Sequence, residues 1–305
     1  MKIATVATGG IGGYLAVKLG LRGHQIATIA RGEHLEAISK TGLKLETSSG
    51  TLTHHPWIAT DDTSQVGEVD AIIFGVKGDD LESAAEVCKP LLGTNTVVVP
   101  FLNGVEASDR LAKILPEANV ANGMAQVSTT ISTPGVITQT GEFNQFVFAE
   151  RDSRPSNRVA ALQQALTDAG VAAPETDDIE CELWSKFVLF SAVSGVTAAA
   201  RCTIADITGI PELAAVFRQV LSETATLGRA SGVALPDDIE AKTWERVQAL
   251  PPTMRASTAV DVEHGRRLEI EWISGAAARL SDKWGQEAPM NKALYALLLP
   301  HKAGR

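Results

Sequence analysis

Four groups of residues in this chain have types and spacings that could do chemistry. The first is MKIATVATGGIGG at residues 1–13, where Gly9, Gly10, Gly12 and Gly13 follow a short β-branched run. Strand, glycine turn and helix in that order form the context of a dinucleotide-phosphate site. Gly9 is placed to let the backbone approach a pyrophosphate, and Gly12 to let the helix pack closely on its strand. Thr8, Gly10 and Ile11 complete the turn, whose free N–H groups face the phosphates with a partial positive charge. Ala7 stands where the fingerprint has its first glycine, a small change if the backbone there keeps a negative φ. The competing reading is a tight turn in another kind of α/β protein.

The second group lies at expected strand ends. Residues 24–30 (HQIATIA) read as a strand closing on Arg31, where a dinucleotide fold usually carries an acid for the ribose 2′-hydroxyl. A cation there suits a 2′-phosphate instead, so NADP(H) is expected over NAD(H); the alternative is a solvated arginine beside Glu33. Lys77 and Asn103 close two further apolar runs, at the edge where parallel sheets bind ligands, although polar residues at strand ends also serve as turn formers.

The third is Lys186, in ELWSKFVLFSAVSGV, a stretch apolar on nearly every side. A helix apolar all round is a buried one, burial disfavours an ammonium, and a lysine kept there is a candidate for proton transfer. A lysine that packs its stem and reaches water with its head fits the same pattern. The fourth is STAVDVEHGRRLEIEW, in which a continuous helix would bring Ser257, Asp261 and Glu269 towards one face. Gly265 interrupts that helix, and on pattern alone a solvated polar face with Glu263, Arg266 and Arg267 accounts for the stretch better.

Positioning these groups requires two kinds of scaffold. Residues 2–7, 24–30, 70–76 and 96–102 are strand-like runs alternating with helix patterns, the signature of a parallel sheet. Residues 43–59 read as a hairpin of extra strands, and residues 120–149 as short strands that complete the sheet. From about residue 173 strand-like runs stop. Long helices are then expected over 180–200, 211–228, 237–249 and 267–283. The predicted fold class is α/β: a Rossmann-type dinucleotide-binding domain over residues 1–172, followed by an all-helical domain over 173–305.

Composition agrees with such a protein. The 305 residues carry 45% hydrophobic and 21% charged residues and a net charge of -9, which excludes a basic nucleic-acid surface. Three distant cysteines, Cys88, Cys181 and Cys202, offer neither a disulfide framework nor a metal knuckle. No apolar run reaches the roughly 20 residues of a membrane span, and the first residues already read as strand, so a soluble, cytoplasmic protein is expected.

Taken together, the ATGGIGGYLA turn, Arg31, Lys77 in GVKGDD, Asn103 in LNGVE, Trp184-x-Lys186, Ser257, Asp261 and Glu269 resemble the ketopantoate reductase (2-dehydropantoate 2-reductase) family over essentially the whole chain. The resemblance implies NADPH held between the two domains and reduction of a 2-oxo acid to a 2-hydroxy acid. It further implies Lys186 as catalytic acid and Asn103 as a contact of nicotinamide and substrate. By the same resemblance Ser257 holds the substrate carboxylate, Glu269 sits near the nicotinamide ribose and steadies Lys186, and the helical domain pairs into a homodimer. The chain departs from the family where asparagines normally follow Lys186 by one and two helical turns, here Phe190 and Ser194. Two alternatives therefore stand beside an ordinary ketopantoate reductase: a reductase for a more apolar 2-oxo acid, and a non-catalytic NADP(H)-binding sensor.

Overall fold

The computed structural model describes residues 1–304, which divide into two compact units. The first comprises Met1–Leu102 with Ala107–Ile179, and the second Asn103–Glu106 with the chain from Glu180 onward. The expected boundary at 172/173 lies inside the first unit. Ala172 exchanges backbone hydrogen bonds with Asn144 and Phe146, at 3.1 and 2.7 Å, and Ile179 N–H donates to Ser153 Oγ at 3.1 Å. Those bonds hold the connecting segment on the first unit.

In the first unit, β1 (Lys2–Val6), helix α1 (Gly10–Gly20), β2 (Gln25–Ile29) and α2 (Gly32–Thr41) open an α/β alternation. A β3–β4 hairpin follows (Leu43–Thr47, Gly50–His54), then β5 (Ile58–Thr60), β6 (Ala71–Phe74), α3 (Leu81–Cys88), β7 (Val97–Pro100) and α4 (Ala107–Leu111). Strands β5-β2-β1-β6-β7 form an all-parallel sheet. Its central strands are buried on both faces, which is why they read as unbroken apolar runs.

The expectation for residues 120–149 is corrected. They form two long strands, β8 (Ala121–Thr133) and β9 (Val136–Glu150), in a separate sheet of order β4-β3-β9-β8. Antiparallel β8–β9 pairing and the parallel pairing of β9 with β3, Ile137 beside Leu45, draw them away from the parallel sheet. Gly13 permits the closeness of the second sheet to α1, since a Cβ there would lie 2.6 Å from Ile137 Cγ1 on β9. Helix α5 (Asn157–Asp168) closes this unit over a core that includes Ile3, Leu15, Ile73, Phe101 and Phe146.

The second unit is helical. Its axis is α6 (Ile179–Ala199), followed by α7 (Ile204–Gly209), α8 (Pro211–Ala230), α9 (Ile239–Gln248), α10 (Ser257–Glu263), α11 (Ser274–Trp284) and α12 (Pro289–Leu298). Trp184, Phe187, Val188, Ala192 and Val196 of α6 are all buried in one core with Phe217 and Leu221 of α8. Glu223 of α8, 4% exposed, accepts the Met290 and Asn291 N–H groups at 3.0 Å each and so caps α12. A buried carboxylate is tolerated there because it satisfies orphan donors at a positive helix end. The helix expected over 267–283 is corrected to a 3-10 turn at Ile270–Trp272 followed by α11, with Ile273 at φ -117, ψ -96 breaking the two apart. Among the described residues no helix is long and apolar enough to cross a membrane.

Candidate functional site

Parallel pairing places Ile29, Val6, Phe74 and Pro100 in one cross-strand row at the carboxyl ends of β2, β1, β6 and β7. Arg31, the glycine turn and Lys77 each follow that row within three residues, on the edge where such sheets receive ligands. Arg31 is exposed and immediately precedes α2, and Lys77 is exposed ahead of a 3-10 turn at Gly78–Asp80.

The turn itself is held from inside. Thr8 is 2% exposed; its N–H donates to Ile29 O at 3.0 Å and its hydroxyl to Thr5 O at 3.0 Å. Gly135 N–H donates to His34 Nδ1 at 3.0 Å, so the ring proton lies on Nε2, which donates to Thr8 O at 2.7 Å. Gly12 sits where a Cβ would meet Ala7 O at 3.0 Å and Thr5 Cβ at 3.5 Å, the close helix–strand packing expected of it.

The residues fit a pyrophosphate. Gly9 precedes α1 with no side-chain cap bond, and the first turn, with Gly10 and Ile11, contains no acid. A Cβ on Gly9 would meet only Ala7 O and Gly75 O, both at 3.8 Å, so nothing crowds the backbone there. The N–H groups of that turn are orphan donors with a partial positive charge.

Ala7 corrects the condition set on it. Its φ is +49, in the left-handed region where a methyl group is strained by about 1–2 kcal/mol. Ala7→Gly is therefore expected to stabilise the chain by about 0.5–1 kcal/mol, after the larger unfolded-state entropy of glycine is set against the relief. The thermal midpoint measures this, and a lower midpoint for Ala7→Gly would show that alanine carries no strain there.

The second unit assembles a polar group around Lys186 of α6. Lys186 Nζ donates to Asn103 Oδ1 at 3.3 Å, and Asn103 Nδ2 donates to Glu269 Oε2 at 3.5 Å. The asparagine amide is thus oriented by a cation on its oxygen and a carboxylate on its nitrogen. Burial pulls the Lys186 ammonium down to about 8, while the Glu269 carboxylate opposes the fall. Lys186 Nζ also lies 5.5 Å from the Phe190 ring centroid, one helical turn along α6, within cation–π reach.

The proposed single face of Ser257, Asp261 and Glu269 is corrected. Helix α10 stops at Glu263, Gly265 turns the chain at φ 61, and Arg266 Nε closes back on Asp261 Oδ1 at 2.8 Å. Glu269 instead heads the 3-10 turn, anchored by Leu268 and Ile270, each 1% exposed. Ser257 begins α10 and is exposed. Ser194 is 2% exposed and its hydroxyl bonds to Thr258 Oγ1 at 2.6 Å, a helix–helix contact that sequence spacing does not signal. The Phe190 contact with Lys186 was legible as a four-residue spacing on one helix; Thr258 and the surroundings of Arg279 carried no local signal.

Comparison with known proteins is consistent over the full length. A family model described as ketopantoate reductase PanE/ApbA matches residues 3–153, and its C-terminal counterpart matches residues 178–302. The chain is 29% identical to a 2-dehydropantoate 2-reductase of Mesorhizobium japonicum, over 98% of this chain and 97% of the relative. It is similar to the crystal structure of a PanE/ApbA family ketopantoate reductase from Ralstonia eutropha JMP134, with 32% identity and TM-score 0.89 over 99% and 98% of the two chains. The fold is also that of a D-mandelate dehydrogenase solved with NADH and anilino(oxo)acetate, at 21% identity and TM-score 0.88 over 99% and 98% of the chains.

Proposed function

The chain belongs to the ketopantoate reductase family, oxidoreductases acting on CH–OH groups, and from that premise we propose that it uses NADPH to reduce a 2-oxo acid whose side chain is apolar. The observation that carries the reading is the Lys186 ammonium, lowered to about 8, bonded to the Asn103 amide that Glu269 also holds, with the Phe190 ring 5.5 Å away.

A bound nicotinamide supplies the hydride that the carbonyl carbon of the substrate accepts. Negative charge then grows on the ketone oxygen, where Lys186 Nζ stabilises it and delivers the proton that completes the alcohol. Lys186 becomes the neutral amine and recovers its proton from water. Glu269 keeps the ammonium charged in a half-buried place, and Asn103 fixes the direction of its N–H groups. Ser257 is the assigned partner of the substrate carboxylate, and Gly9, Gly10, Ile11 and Gly12 of the cofactor phosphates. Arg31, and secondarily Lys77, favour the 2′-phosphate of NADPH; the fold alone does not select it, since the mandelate dehydrogenase with this fold was solved with NADH.

Phe190 defines the substrate side. Its ring offers no hydrogen bond to a substrate hydroxyl, and Ser194 is engaged with Thr258. A hydroxyl buried there without a partner costs about 1–3 kcal/mol. Ketopantoate and trimethylpyruvate differ by one such hydroxyl. We expect kcat/KM for trimethylpyruvate to equal or exceed that for ketopantoate. A clear ketopantoate advantage, about tenfold for each 1.4 kcal/mol, sinks the apolar-pocket assignment and leaves an ordinary ketopantoate reductase.

A further inference from the structure

We propose that Arg279 is a positioning residue for the Lys186 proton donor, its single guanidinium tying together the two segments that carry Asn103 and Glu269. The proposal rests on the reading of Lys186 as the acid.

Segment Asn103–Glu106 belongs to the second unit although it is remote from it in sequence. Its backbone runs so close to the 3-10 turn that a Cβ on Gly104, at φ +90, would overlap the Trp272 carbonyl oxygen. Val105 packs on the helical core, and the Glu106 carboxylate accepts from Arg279 Nη2 at 2.6 Å. The same nitrogen donates to Glu271 O at 2.7 Å, and Nη1 to Glu271 Oε2 at 3.3 Å. Glu106 lies three residues after Asn103 and Glu271 two residues after Glu269, so one planar fork spans both.

The second arm of the clamp is itself braced. Glu271 Oε1 accepts from Tyr295 Oη and from Lys302 Nζ, both at 2.8 Å, and Leu268 N–H donates to Lys302 O at 2.9 Å. Arg279 pairs with the Glu106 and Glu271 carboxylates, and Glu271 in turn with Lys302, whereas the Glu269 carboxylate supports the charge on Lys186. Arg279 Nε is buried without a partner, so the guanidinium is placed for its two carboxylates rather than for its own full hydrogen bonding. Loss of the fork frees Asn103 and Glu269 to move independently, and misplacement of a reacting group by about 1 Å lowers rate by roughly 100-fold.

Steady-state kinetics of Arg279→Met, Arg279→Lys and Lys186→Ala in the full chain test the proposal. Arg279→Met is expected to lower kcat roughly 10- to 100-fold, with a much smaller change in NADPH affinity, read by nicotinamide fluorescence, because the glycine turn and Arg31 still hold the phosphates. The alkaline fall in kcat should move to lower pH, because the ammonium loses the support of Glu269. Arg279→Lys keeps the cation without the fork and should recover part of kcat. Unchanged kcat in Arg279→Met, or a lower kcat whose alkaline fall has not moved, overturns the proposal. If Arg279→Met does not fold, Glu106→Gln puts the same question to the other end of the clamp, with the same two outcomes deciding. Near-original activity in Lys186→Ala defeats the acid assignment itself; a severe loss there beside an unaltered Arg279→Met defeats only the clamp.

Discussion

Replacing Lys186 by alanine is expected to lower kcat for 2-oxo acid reduction by about two to four orders of magnitude, the range of a positioned general acid. The loss has two sources: the growing alkoxide loses its nearest cation, and the proton must come from water. Affinity for NADPH should be nearly unchanged, because the glycine turn and Arg31 lie in the other unit. The pH dependence has a definite sign. The reducing direction needs the charged ammonium, so in the unaltered protein kcat is level below about 8 and falls as pH rises through that value. Oxidation of the 2-hydroxy acid needs the neutral amine and should show the opposite trend, rising through the same region. Stopped-flow or steady-state rates from pH 6 to 10 check both. Activity in Lys186→Ala within threefold or so of the original would make Lys186 a packed or snorkelling residue.

Arg31→Ala is expected to remove most of a preference for NADPH over NADH, with kcat/KM for NADPH lowered roughly 10- to 100-fold. The estimate follows from losing one charge-assisted hydrogen bond to the 2′-phosphate, about 1.5–3 kcal/mol. Arg31 is exposed at the start of α2, so its removal opens no cavity and the thermal midpoint should hold. NADH kinetics should be almost untouched, which separates loss of phosphate recognition from general damage to the site. Equal kinetics with NADPH and NADH in the unaltered chain refute the assignment before any variant is made.

The strand–turn–helix at the N-terminus was legible because each of its signals is local. Burial of β1 on both faces leaves a continuous apolar run, and the close approach of α1 to β1 leaves glycine at position 12. Helices α6 and α8 were legible for the same reason, since an apolar stripe, or a helix apolar on nearly every side, declares itself within its own length. Where such signals were weak the boundaries moved. Gly265 announced an interruption after Ser257, but an interrupted helix and a terminated one look alike until tertiary contacts choose between them. The long strands β8 and β9 were mistaken for pieces of the parallel sheet because strand patterning specifies a strand and leaves its partner open.

The sequence by itself determined the α/β-then-helical order, the glycine turn, the cation in place of the ribose acid, and the lysine in an apolar helix. All of these depend on residues within a turn or a strand of one another. Tertiary structure alone decided that Asn103 meets Lys186 across 83 positions and Glu269 across 166, and that Arg279 reaches Glu106 across 173. It also decided the positive φ of Ala7, which is imposed by the bonds that anchor Thr8 to β2 and α2 rather than by alanine itself. The division has one physical cause. Propensity and periodicity act over a few residues, whereas the pairing of distant polar groups is set by which apolar faces bury together, and the sum of many such contacts is not written at any one position.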